Sequence, residues 1–140
     1  MQQGELPAER IAGIGIDTIE IERIKGALEA RSGARFERRV FTELEIEYCR
    51  SKADPYPHFA ARFAAKESGM KALGTGWTAE VNWKGIEIWN NELGRPFLRF
   101  NGKTEQHAGK MGVTGAHVSL SHDRSRALAV VVLLGRKVPG

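Results

Sequence analysis

Three residues far apart in the chain have the types that phosphoryl chemistry uses. Asp17 ends the apolar run IAGIGID, and Glu67 and Lys71 stand four apart in RFAAKESGMKALGTG. Two carboxylates from separate elements suit Mg²⁺, which takes an octahedral set of oxygens and is held by one or two carboxylates while phosphates and waters fill the remainder. A lysine beside them would offset further phosphate charge, and chemistry of this kind works mainly by positioning and charge neutralisation. There is no P-loop or kinase glycine loop, so a nucleoside triphosphate site is not indicated. Plainer roles suit the same residues: a helix N-cap for Asp17, and an exposed ion pair for Glu67 and Lys71, worth about 0.3–0.5 kcal/mol.

The elements around these residues follow from periodicity. In IAGIGID, Ile14 and Ile16 share one face and Gly13, Gly15 and Asp17 the other, which is strand alternation with a face that lets another group come close. Ile21, Ile24 and Leu28 then recur at helical spacing. Asp17 and Glu20 have the spacing of a capping pair, so the chain is expected to turn from strand to helix at Asp17. A second helix is expected over FTELEIEYCRSK, capped by Thr42, with Leu44 and Tyr48 inward. ADPYP breaks it. The helix carrying Glu67 starts near Pro57 or His58 and stops at Gly74. On a helical projection with Phe59 as origin, Phe63, Met70 and Leu73 fall within about 40°, Glu67 at about 80° and Lys71 at about 120°. Lys66 lies inside the bulky apolar stripe, where it must either snorkel to water or meet an anion.

Beyond Gly74 the pattern changes to strands. NWKGIEIW and RPFLRFN form one hairpin through NNELGRP, and AHVSLSH and ALAVVVLL a second through DRSR. In the latter, His117, Ser119 and Ser121 face one way and Val118, Leu120 and His122 the other. SHD is no catalytic triad, because its residues are consecutive and cannot converge. His58 and His107 sit in polar, exposed-looking segments and receive no role. Helices first and antiparallel hairpins second make an α+β protein.

A chain of 140 residues, 41% hydrophobic and 27% charged, is the size and composition of one folded domain. Residues 1–10 read as a polar arm and 11–140 as the domain. No apolar run approaches the roughly 20 residues that span a bilayer, and MQQGELPAER has no leader pattern, so a cytoplasmic protein without membrane contact is expected. The single cysteine, Cys49, reads as an inert thiol. Lys and Arg exceed Asp and Glu by 21 to 17. Arg23, Lys25, Arg31, Arg35, Arg38 and Arg39 cluster in one stretch, which points to an acidic partner.

Four blocks, GIGIDTIEIERI, RFAAKESGMKALGTGW, ELGRPFLRF and HVSLSHDRSRALAVVV, stand in this order over residues 11–134. Together they resemble the holo-acyl-carrier-protein synthases, the small single-domain 4′-phosphopantetheinyl transferases. The resemblance implies the α+β fold of those enzymes. It also implies transfer of 4′-phosphopantetheine from coenzyme A to a serine of apo acyl carrier protein, releasing adenosine 3′,5′-bisphosphate, a step of fatty acid biosynthesis. By the same resemblance Asp17 and Glu67 hold Mg²⁺, and Asp17, Glu67 and Lys71 form the catalytic set. Arg62, Lys66, Lys71, Gly94, Pro96, His117 and Ser119 match positions at the coenzyme. The serine proton passes to Glu67 or to a metal-bound water, between which the sequence does not choose. Such proteins form homotrimers in which the ELGRP turn and HVSLS strand complete a neighbour's pocket, and Arg23, Arg35 and Phe36 face the carrier.

The chain departs from the pattern at Ser68 and Gly69, where an alanine and a bulkier apolar residue are usual, and Gly69 costs a helix about 1 kcal/mol relative to alanine. Two other readings compete. A basic nucleic-acid module lacks a binding motif and has few aromatics among its basic residues, so no nucleic acid is expected. A non-catalytic carrier-binding homologue would have no need of both carboxylates and Lys71.

Overall fold

The computed structural model describes residues 9–76 and 78–136; most of the expected arm, Trp77 and the last four residues lie outside the described residues. Strand β1 (Arg10–Glu20) leads into three short helices, α1 (Ile21–Glu29), α2 (Gly33–Val40) and α3 (Glu43–Arg50), and then the long α4 (Tyr56–Leu73). A 3₁₀ turn at Trp83–Gly85 precedes β2 (Ile86–Asn90) and β3 (Pro96–Phe100), α5 (Gly102–Lys110) follows, and β4 (Val113–His122) and β5 (Arg126–Gly135) close the chain. Two antiparallel sheets result, β1-β5-β4 and the hairpin β2-β3. The α+β class and both hairpins are as the sequence implies.

Helix α4 is the centre of the molecule. It packs on β1 and β5 on one side and on α1, α3 and β2 on the other, and 12 of its residues are buried. Burial on two opposite sides explains why it carries both a bulky stripe and an alanine stripe, with the line of Phe63, Glu67 and Lys71 left nearer the surface. The sheet-facing side is Ala61, Ala64, Ala65, Ser68 and Ala72, and the Ser68 hydroxyl donates to the Ala129 carbonyl of β5 at 3.0 Å. Small residues let the helix sit close. A Cβ on Gly13 would stand 2.0 Å from the Ala72 carbonyl oxygen, and one on Gly15 would stand 1.8 Å from that of Ser68. The glycine face of β1 therefore admits the backbone of α4, not a ligand. Gly69 has its own reason: a Cβ there would meet Ile86 Cδ1 at 3.0 Å, so the missing side chain seats β2.

Three local expectations are corrected. First, β1 does not end at Asp17; it continues to Glu20, with Asp17 opposite Ala129. Asp17 is thus no N-cap, and the Ile21 amide at the start of α1 bonds instead to the Ser125 carbonyl at 2.8 Å. Second, Thr42 does cap α3, in a reciprocal box with Glu45, but Leu44 points outward and Glu45 is fully buried. The amphipathic reading fails there because a carboxylate with enough donors can replace an apolar side chain in a core. Third, His58 and His107 are half-buried rather than exposed.

Helices α2 and α5 are short: α2 turns only Gly33, Phe36 and Val40 to the core, and α5 buries Thr104 and Ala108. Cys49 lies fully buried, and burial pushes its thiol up to about 12, so it is inert at neutral pH. Among the described residues no helix is long and apolar enough to cross a membrane.

Candidate active site

Packing of α4 on the glycine face of β1 brings Asp17 beside the last turns of the helix. The Lys71 ammonium donates to Asp17 Oδ1 and to the Ile16 carbonyl, both at 3.0 Å. Glu67 stands one turn earlier on the same flank. Burial first, and then the charge of Asp17, push its carboxyl above the ordinary glutamate range, against a smaller opposing effect of Lys71. Among the described residues no donor bonds to the Glu67 carboxylate. Asp17 takes the Lys71 ammonium and Glu67 has no bonded cation, so two hard carboxylates leave surplus negative charge at a partly exposed site, a donor set that fits Mg²⁺.

Lys66 is not at this site. Its ammonium is fully buried on the opposite side of α4, 2.8 Å from Glu45 Oε1, and it donates to the carbonyls of Trp83 and Ile86. All of its donors are used inside the protein, so the expectation that Lys66 contacts the coenzyme is corrected: it meets a carboxylate of the chain.

Arg62, Gly94 and Pro96 do converge. They line a cavity of about 150 Å³ with Tyr48, His58, Asn90 and His122. The Arg62 guanidinium lies 4.1 Å from the centre of the Tyr48 ring and donates to Asn90 Oδ1, while the Asn90 amide donates to the Gly94 carbonyl at 2.9 Å. Arg62 is 1% exposed, and its Nε is unpartnered among the described residues. Burial, and then the nearby Arg62 charge, hold His58 below the ordinary histidine range, so the pocket's fixed cation is the arginine. On α4, Arg62 and Glu67 are about 140° apart, which puts the arginine pocket and the carboxylates on opposite flanks of one helix. His117 and Ser119 stand elsewhere again, exposed on the outer face of β4 opposite Val132 and Val130.

On the far side, Arg23 and Arg35 are exposed on α1 and α2. The half-buried Phe36 lies 6.2 Å from Phe41 and 6.4 Å from Phe63, which stacks on Trp83 at 5.0 Å. An aromatic seam flanked by arginines results. Sequence reasoning missed Glu45, Tyr48 and Asn90 as partners. For Glu45 the capping-box spacing from Thr42 was a signal; for the other two, only tertiary contact assigns a role.

The comparisons with known proteins bear on the whole of this arrangement. The profile of the 4′-phosphopantetheinyl transferase superfamily matches residues 13–131. The chain belongs to that superfamily. Among phosphopantetheinyl transferases it is similar to the holo-[acyl-carrier-protein] synthase of Syntrophus aciditrophicus (strain SB), 47% identical over 127 residues that cover 91% of this chain and 98% of the relative. It is similar also to that of Koribacter versatilis (strain Ellin345), at 46% over 88% and 98%. The crystal structure of the synthase from Neisseria meningitidis superposes with a TM-score of 0.81 at 31% identity, covering 89% of this chain and 98% of that one. The Helicobacter pylori synthase, solved in complex with coenzyme A, gives 0.76 at 30% identity, over 86% and 98%. The chain is an enzyme of the phosphopantetheinyl transferase class, on the α+β fold its four sequence blocks imply.

Proposed function

We propose that the chain transfers 4′-phosphopantetheine from coenzyme A to a serine hydroxyl of apo acyl carrier protein, and that Asp17 and Glu67 hold a Mg²⁺ ion at the site. The observation that carries this is the convergence of Asp17 from β1 with Glu67 and Lys71 from α4. Mg²⁺ bound there would polarise the phosphoryl oxygens of the coenzyme's pyrophosphate and offset their charge.

The chain's own residues do the rest. Lys71 shares its ammonium between Asp17 and the Ile16 carbonyl, so it is already oriented at the carboxylates and offers its remaining donor to a phosphate. The serine oxygen bonds to the phosphorus that bears the pantetheine arm as its proton passes to Glu67 or to a water at the carboxylate site, and the bond from that phosphorus to the bridging oxygen breaks. Adenosine 3′,5′-bisphosphate leaves with the bridging oxygen and its electron pair. Arg23, Arg35 and the Phe36 seam are where the carrier docks, in keeping with the basic surplus of α1 and α2.

The assembly is a homotrimer in this reading, and two features support it. The outer face of the three-stranded sheet is open and apolar: Ile14 and Ile16 are 60% and 55% exposed, beside Leu128 at 38%. Large apolar residues grouped on one face mark a surface that another chain covers. The carboxylate cluster and the pocket of Arg62, Gly94 and Pro96 also lie on opposite flanks of α4. A head-to-tail ring would set one copy's carboxylates against its neighbour's arginine pocket, so that one coenzyme meets both. His117 and Ser119, on the same outer face, then belong to the interface.

Intact mass of apo carrier protein, incubated with coenzyme A, Mg²⁺ and the enzyme, tests the function. The wild type adds one phosphopantetheine group, and Asp17→Ala and Glu67→Ala do not while remaining folded. Near-normal turnover by either variant overturns the site.

A further inference from the structure

Lys66 and Glu67 are consecutive on α4, yet one ends in the core and the other at the carboxylate site. The Lys66 ammonium is caged by oxygens of three separate segments: Glu45 of α3, Trp83 of the 3₁₀ turn and Ile86 at the start of β2. The Glu45 carboxylate is used as fully. Its Oε1 also accepts from the Thr42 amide at 2.8 Å, and its Oε2 accepts from the Ile88 amide at 2.8 Å. Both Glu45 oxygens thus act as acceptors, whereas a glutamine would turn a donor toward one of these amides.

What this cage does follows from the rest of the α4 packing. The alanines that face the sheet set how near the helix comes, and bonds from Ser68 to Ala129 and from Lys71 to Ile16 and Asp17 tie it to the sheet on that side. A side-chain tip about 6 Å from the axis moves about 1 Å for each 10° of rotation, and sites of this type need their groups held to about 0.5 Å. The ammonium of Lys66, bound at three points, opposes such rotation from the side away from the sheet.

We propose that Glu45 is a positioning residue which, through Lys66, fixes the rotation of α4 and so the place of the Glu67 carboxylate. This rests on the proposed role of Glu67, and the pair specifies geometry in addition to whatever stability it contributes. Buried ion pairs are often replaceable without loss of stability when the whole pair is exchanged, whereas removing one partner is costly.

The test compares Glu45→Gln with Leu98→Ala, a cavity variant in β3 chosen to be comparably destabilising, both confirmed as folded at 10 °C by circular dichroism. Two readouts are taken: Mn²⁺ binding to the metal-free protein by electron paramagnetic resonance, and amide hydrogen exchange across 64–72. Glu45→Gln weakens Mn²⁺ binding about tenfold or more, the scale of lost support to a metal ligand, and speeds exchange at Glu67–Lys71. Leu98→Ala leaves the affinity within about twofold and the exchange pattern of α4 unchanged. Equal effects of the two variants on both readouts overturn the proposal, since positioning would then reduce to stability. If the wild type itself binds no Mn²⁺, the metal reading fails separately, and hydrogen exchange alone decides for or against the role of Glu45.

Discussion

The α-carbon of Gly15 faces the carbonyl oxygen of Ser68 so closely that a Cβ added to the glycine would stand 1.8 Å from that oxygen. This contact sets the distance between β1 and α4, and Asp17, two residues further along the same face of β1, reaches Lys71 because of it. Gly15→Ala must push the helix off the sheet, since the obstacle is backbone. The expected cost is about 2–3 kcal/mol in urea unfolding, with phosphopantetheine transfer lost at least a hundredfold in the fraction that stays folded. Unchanged activity would show that the close approach does not place the site.

Glu67 makes the metal-free protein pH-sensitive in a direction that can be worked out. Its carboxyl lies above its ordinary 4.5, through burial and then the charge of Asp17. Between that value and the raised one, the folded state keeps a proton that the unfolded state has lost, so stability falls as pH rises through the window. Glu67→Gln removes this contribution. Melts in EDTA from pH 4 to 7 should show the variant gaining stability relative to the wild type as pH rises, although it transfers nothing. Identical pH slopes would contradict the assignment.

Lys71 separates catalysis from stability. Its ion pair with Asp17 joins an ammonium 53% exposed to a carboxylate 19% exposed, and such pairs add at most about 1 kcal/mol. Lys71→Met should leave the melting temperature within a few degrees of the wild type. It should also lower kcat/KM for coenzyme A about 10²–10³-fold. A drop in stability without a drop in rate would make Lys71 a structural residue instead of a catalytic one.

Arg23→Glu on the exposed face of α1 should raise KM for the carrier about tenfold or more while KM for coenzyme A changes less than about twofold. Added salt should weaken the wild type toward the variant, because exposed charges are screened over about 8–10 Å. Equal changes for both substrates would remove α1 from the carrier surface.

Ile16→Lys puts a charge on the outer face of β1, opposite Val130 and in line with Ser119 of β4. Light scattering should find a trimer for the wild type and monomer for the variant, with transfer lost and circular dichroism retained. A wild-type monomer with full activity would contradict the shared site.

The sequence carried the strands, α1, α3 and α4 because their apolar residues repeat at the period of the element, and it singled out Asp17, Glu67 and Lys71, which the fold brings together. Helices α2 and α5 were not legible, since GARFERRV and GKTEQHAGK are about two turns long and offer only two or three core-facing positions each. Position within a stripe also misled. Lys66 looked displaced from the core it occupies, because nothing in its own helix reveals that Glu45, 21 positions earlier, supplies the counter-charge. Asp17 looked like a cap because a strand that continues three residues further leaves the same local pattern as one that stops. In each case the deciding partner comes from a different element, and a single helix or strand cannot encode it.

The most direct measurement is the intact mass of an apo acyl carrier protein after incubation with this enzyme and coenzyme A, with Mg²⁺ or with EDTA. A gain of one phosphopantetheine group on the carrier serine with Mg²⁺, absent with EDTA and absent with Asp17→Ala, is the predicted result. No gain under either condition, or the same gain in EDTA, would contradict it.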